Sequence, residues 1–149
     1  MNKFILCQGI QGSGKTTWAL NWIKEDPEHR VRWNNDCISW MINNSGWCPI
    51  HYGLIKNLRA AFINEAFANH LDIVIDDMNL NPNTINSYKE QVKYHNIIHP
   101  NNLYSFEIKS FNTPLEECIE RDSKRENPIG EKIIRETYNK YFTYDSNSN

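Results

Sequence analysis

The stretch Gly9-Ile10-Gln11-Gly12-Ser13-Gly14-Lys15-Thr16 constrains this chain more than any other. An apolar run, Phe4-Ile5-Leu6-Cys7, leads into it, and Thr17-Trp18-Ala19-Leu20 continues from it in helical fashion. Half of the chain's six glycines fall inside these eight residues. Glycine lets successive backbone N–H groups turn toward one point, where together they cradle an anion. Strand, glycine-rich loop and helix N-terminus in that order make a phosphate-binding loop, or P-loop. Its lysine reaches the β- and γ-phosphates as a point charge, and the following hydroxyl is placed to ligate Mg²⁺. Gly12, Ser13, Gly14, Lys15, Thr16 and Thr17 are thus the expected contacts to ATP, with Thr16 on the metal side.

At 149 residues the chain has the length of one domain, expected over residues 1–144, with the small polar residues 145–149 as a disordered tail. A net charge of -2 excludes a broad basic surface that coats nucleic acid, so any polynucleotide contact must be local. Cys7, Cys37, Cys48 and Cys118 form no Cys-x-x-Cys pair. With no signal peptide in view, they read as reduced thiols of a cytoplasmic protein. No apolar stretch is long enough to span a bilayer, and no membrane association is expected.

Apolar runs alternate with amphipathic stretches, the pattern of an α/β domain with a mainly parallel sheet of four or five strands flanked by helices. Strands are expected over residues 4–8, 30–34, 72–76 and 103–109. Helices are expected over 15–25, 54–70, from Pro82 onward, from about Leu115 to Lys124, and over 130–142. In the second of these, Leu58, Phe62 and Ala66 lie four apart on one stripe. Asn81-Pro82 supplies an N-cap and a first-turn proline. Thr113-Pro114-Leu115-Glu116 fits a capping box. Residues 36–50 carry no clear period, and Asn43-Asn44-Ser45-Gly46 breaks them.

Three further stations carry possible chemistry. Asp76-Asp77 ends an apolar strand, where carboxylates either hold a metal or its water, orient another group, or sit in a solvated turn. Asp36, in Asn34-Asn35-Asp36, is either a helix cap or a base for an attacking hydroxyl. Arg121 and Arg125 stand i and i+4 beside Lys124, and could clamp phosphates or complement a helix C-terminus.

Taken together, residues 9–18, Asn34-Asn35-Asp36, Asp77-Met78-Asn79-Leu80-Asn81-Pro82 and Arg121-Asp122-Ser123-Lys124-Arg125 resemble the kinase domain of the bacteriophage polynucleotide 5′-kinases, in the same order and at similar spacings. The resemblance implies a P-loop kinase fold with a C-terminal helical lid. It implies phosphorylation by ATP, with Mg²⁺, of a 5′-hydroxyl on DNA or RNA, in a host cytoplasm if the chain is phage-encoded. It makes Asp36 the general base, Lys15 and Thr16 the phosphate and metal contacts, and Arg125 with Arg121 the lid arginines over the donor. Asp77 becomes an orienting acid, with Asn79 beside it in the matching segment.

Two departures qualify it. Three residues after the base the family carries an arginine that helps hold the acceptor; here the position is Ser39, and Arg32, Lys56 or Arg59 could take its place. No Asp-x-Asp-x-Thr motif occurs, so no 3′-phosphatase activity is expected. Trp33, Trp40 and Trp47 could stack on bases or lie in the core, whereas Trp18 and Trp22 read as core. His95 and His99 lack the company of metal ligands and read as surface residues. The competing functions are a kinase of small hydroxyl compounds and a non-catalytic nucleotide- or nucleic-acid-binding module.

Overall fold

In the computed structural model, residues 1–142 are described; the tail expected at 145–149, and the last two residues of the expected domain, lie outside them. Four strands form one parallel sheet in the order β2-β3-β1-β4, with β1 at Asn2–Gln8, β2 at Arg30–Trp33, β3 at Asp72–Ile75 and β4 at Tyr104–Ser110. The α-helices are α1 (Lys15–Glu25), α2 (Asn35–Asn43), α3 (Tyr52–Ala68), α4 (Pro82–Ile98), α5 (Leu115–Ser123) and α6 (Glu131–Phe142). None of the helices is long and apolar enough to cross a membrane, among the described residues.

Helices cover β1 and β3 on both faces, so these strands are apolar throughout. Phe4, Leu6, Ile73 and Ile75 pack with Ile55, Ile63 and Phe67 of α3 and with Tyr88 and Val92 of α4. The alternate residues Ile5, Cys7 and Val74 meet Ala19 and Trp22 of α1. A third cluster, Ile10, Cys118 and Ile134, joins the P-loop to α5 and α6. Trp33 is buried in the first cluster, whereas Trp40 and Trp47 are exposed. Trp18 and Trp22 stack at 6.0 Å in the second, as core residues.

Several local expectations change. The buried stripe of α3 runs through Ile55, Ile63, Ala66 and Phe67, and Leu58 is exposed. Residues 36–50, without a clear period, contain most of α2, and Asn44 ends that helix in the left-handed conformation at φ 53°. Thr113 makes no capping box: Pro114 occupies the N-cap of α5, and the Thr113 hydroxyl donates to the Ser13 carbonyl at 2.8 Å. The threonine thereby pins the P-loop and not the helix. His95 is buried, with its ring stacked on Phe67 at 4.1 Å.

Candidate active site

The strand order fixes where a ligand can sit. The chain leaves β1 toward β2 on one side and later reaches β4 on the other, so a crevice opens at the carboxyl ends of β1 and β3. The P-loop follows β1, and Asp76-Asp77 follow β3. Because Leu6 pairs with Ile75, the loop and the two acids emerge side by side.

Gly12 and Gly14 adopt positive φ, 77° and 101°, which only glycine takes without strain. A Cβ on Gly12 would collide with the backbone of Cys118 in α5. Gly14 is the N-cap of α1 and offers no side-chain cap, so the first-turn N–H groups face the crevice without one. One on Gly14 would lie 3.6 Å from an Arg121 guanidinium nitrogen, so Arg121 leans over the loop. Thr16 and Thr17 are exposed at this helix end.

Lys15 folds back onto the loop: its ammonium donates to the Gly9 carbonyl at 2.8 Å, the Ile10 carbonyl at 2.6 Å and the Ser13 hydroxyl at 3.4 Å. Burial lowers its pKa to about 8, against the opposing charge of Asp76.

Asp76 was only half-read from the sequence, as one of a pair. It is 1% exposed and meets three donor atoms of two side chains through a single oxygen. Thr16 Oγ1 donates to Oδ2 at 2.9 Å, and Arg32 reaches the same oxygen through Nε at 2.8 Å and Nη2 at 2.6 Å. The other oxygen, Oδ1, is buried and has no partner. A buried orphan carboxylate oxygen beside the P-loop threonine suits a hard cation held jointly with phosphates. Among the described residues no group of three or more His, Cys, Asp or Glu could hold a metal by itself. Mg²⁺ fits such a site because it keeps its waters and takes substrate oxygens.

Asp77 turns the other way. Its Oδ1 accepts the backbone N–H of Asn35 at 2.9 Å, which anchors the start of α2. Burial pushes its pKa up to about 7, with Asp76 adding and the Asn35 hydrogen bond opposing. The cap of α2 is Asn34, whose side chain accepts from Cys37 N at 2.8 Å. That frees Asp36, which makes no hydrogen bond and stands open to the crevice. Its pKa is raised, by desolvation first; Arg125 and Lys15 pull it down and Asp76 pushes it up. Asp36, Arg125, Lys15 and Asp76 therefore feel one another across a single cleft.

Arg125 lies just past the end of α5, so the expected shared helical face with Arg121 is not how the two converge. The buried Asp122 arranges this turn: it accepts from Ile129 N at 3.1 Å and Gly130 N at 2.9 Å, and Arg125 lies 3.8 Å from it. Sequence reading of this segment weighed its cations and passed over the acid between them.

Two expected residues stay out of the cleft. Ser39 is buried and donates to the Gly46 carbonyl at 2.5 Å, closing the end of α2. Asn79, at φ 48°, donates to the carbonyls of Cys7 (2.8 Å), Ile75 (3.2 Å) and Asp77 (3.2 Å), stapling the ends of β1 and β3. A cavity of about 610 Å³, lined by Phe67, His70, His95 and His99 among others, lies at the opposite end of the sheet.

Residues 4–141 match the family model described as AAA domain. No curated protein sequence matches the chain. Among solved structures, a chain of a Pnkp1/Rnl/Hen1 complex is similar at 25% identity and TM-score 0.64, over 80% of this chain and 38% of its own length. A chain of the Pnkp1/Rnl/Hen1 RNA repair complex is similar at 22% identity and TM-score 0.72, over 99% of this chain and 46% of its own. A gluconokinase from Sinorhizobium meliloti 1021 follows at 15% identity and TM-score 0.48, over 90% and 71%. The present chain thus spans less than half the length of the first two. The fold is that of a P-loop kinase-like domain, and the resemblance read from the sequence agrees with the two Pnkp1/Rnl/Hen1 neighbours.

Proposed function

The chain belongs to the AAA domain family, and from that premise we propose that it transfers the γ-phosphoryl group of ATP to the 5′-hydroxyl of a DNA or RNA end. The observation that carries this reading is Asp36, an exposed carboxylate without a hydrogen bond, close enough to Lys15 and Arg125 for their charges to act on it. A raised pKa makes it a better proton acceptor than an ordinary aspartate.

Asp36 takes the proton of the acceptor hydroxyl as its oxygen forms a bond to the γ-phosphorus. The bond from that phosphorus to the β–γ bridging oxygen breaks, and ADP leaves with the electron pair. Lys15 leaves the Gly9 and Ile10 carbonyls to meet the phosphates, while Arg121 and Arg125 balance the charge spread over the transferring oxygens. Thr16 and Asp76 would hold Mg²⁺, which supplies charge neutralisation on the β- and γ-phosphates when bound. Asp77 positions Asp36 through Asn35.

Labelled ATP and 5′-hydroxyl oligonucleotides test the reading. Wild type should label the 5′ end, and Asp36→Asn should keep ATP affinity while losing about 10²–10⁴-fold in kcat. Absence of transfer to any DNA or RNA end, from protein that binds ATP, overturns it. A second reading, a small hydroxyl acceptor, draws on Ser39, since α2 carries no basic residue in the sequence Asn35–Asn43. Sugars and nucleosides in the same assay discriminate: turnover of these in preference to oligonucleotides favours it.

A further inference from the structure

A groove of about 310 Å³ lies between α3 and α4. Tyr52, Lys56 and Arg59 form its α3 wall at spacings of four and three, on one helical face. Ser87, Tyr88 and Gln91 of α4 stand opposite, and no carboxylate lines the groove. A cationic wall facing a neutral hydrogen-bonding wall is unusual on a chain whose net charge is -2.

The inner end of the groove is tied to the reaction centre. Arg59 donates to Asn35 Oδ1 at 3.3 Å, and the same oxygen accepts Trp33 Nε1 at 2.7 Å. Asp36 is the next residue, so the groove starts one residue from the proposed base. The Arg59 guanidinium also lies over the Tyr88 ring, 5.5 Å from its centroid, which fixes its direction. Neither Lys56 nor Arg59 is in an ion pair among the described residues. By contrast, Arg32 is already bound to Asp76.

We propose that this groove takes the phosphodiester backbone of the acceptor strand, with Arg59 and Lys56 each meeting a phosphate and Tyr52 offering a stacking face at the mouth. The inference rests on the polynucleotide reading above, and it moves acceptor anchoring from α2 to α3. Ser39 cannot supply it, because its hydroxyl is committed to Gly46. Guanidinium suits the inner phosphate, where a fixed fork is needed; the flexible ammonium of Lys56 suits the outer one. The groove thus selects for a strand of two or more nucleotides over a lone sugar or nucleoside.

Fluorescence anisotropy of a labelled 5′-hydroxyl oligonucleotide, across a salt series, tests this without needing turnover. Lys56→Glu, alone and combined with Arg59→Gln, is compared with Lys24→Glu, which makes the single variant's charge change at the far end of α1. The groove variants should bind about tenfold or more weakly, and the slope of log affinity against log salt should fall by about one per lost phosphate contact. ATP affinity and the Lys24→Glu control should match wild type. Lys56→Glu removes no intramolecular bond, so its result does not hinge on folding. Unchanged affinity and slope in both groove variants overturn the inference, and the kinase reading stands if wild type still labels the oligonucleotide. Loss of binding in the variants with no labelling by wild type keeps the groove and overturns the kinase reading. Wild type that binds no oligonucleotide overturns both.

Discussion

The ammonium of Lys15 occupies a position it must leave for phosphates to enter. In the free protein three loop oxygens hold it, and burial lowers its pKa to about 8. Bound phosphates would place anions where carbonyl dipoles now stand, raising that pKa again. Binding above pH 8 should therefore take up a proton. Calorimetric titration with ATP in buffers of different ionisation enthalpy should show uptake growing from pH 7 to pH 9. Affinity should fall by up to about tenfold per pH unit above 8. A proton balance of zero at pH 9 would show that Lys15 does not carry this role. Stability of the unliganded chain moves the opposite way: the lowered pKa penalises the charged form, and the penalty is relieved as pH rises above about 8.

At the scale of elements, the Arg125 side of the cleft depends on the turn between α5 and α6. Beyond α5, residues 124–130 are held by Asp122, whose buried carboxylate takes two backbone N–H groups and faces Arg125. Asp122→Ala leaves those donors unpaired, and a charge-assisted bond of this kind contributes about 1.5–3 kcal/mol. The variant should unfold about 2–3 kcal/mol more easily in urea. Its KM for ATP should rise more than its KM for the acceptor, because Arg125 loses its support while the α3–α4 groove is untouched. Equal loss on both substrates would argue that the turn serves folding alone. The capping box expected at Thr113 illustrates the limits of local signals: the hydroxyl finds Ser13, a hundred residues away in sequence, and not the helix beside it.

For the whole molecule, the two carboxylates behind β3 set a conflict between stability and site construction. Asp77 is buried to hold α2 in place, and its pKa is raised to about 7. The folded chain thus keeps a proton that the unfolded chain releases near its ordinary pKa. The resulting stabilisation is fully present below about pH 4 and is lost as pH rises through about 7. Asp77→Asn retains an oxygen to accept the Asn35 N–H but has no charge to bury. The stability difference, variant minus wild type, should grow from pH 5 to pH 8 in denaturant titrations. A difference independent of pH would place the Asp77 charge outside the folding balance.

Much of the donor half was legible in the sequence. The P-loop needs glycines, a lysine and a hydroxyl in contiguous positions, so its chemistry is written locally, and strand periods around it are strong because β1 and β3 are buried on both faces. The helix α2 was not legible, since it is short and its order comes from the Asn34 cap and from Asp77, which bonds Asn35 from 42 residues away. Leu58 was misread for the same reason: the face of α3 that is buried depends on where α4 and the sheet lie.

The sequence by itself determined the P-loop, the parallel α/β pattern and the candidate acids and cations. Only the tertiary structure decided which partners each acid meets. It turned Asp76 toward Thr16 and Asp77 toward α2, spent Ser39 and Asn79 on backbone carbonyls, and left Asp36 free of any hydrogen bond. The reason is physical: a polar side chain's role follows from which partners burial leaves it, and those partners come from distant segments.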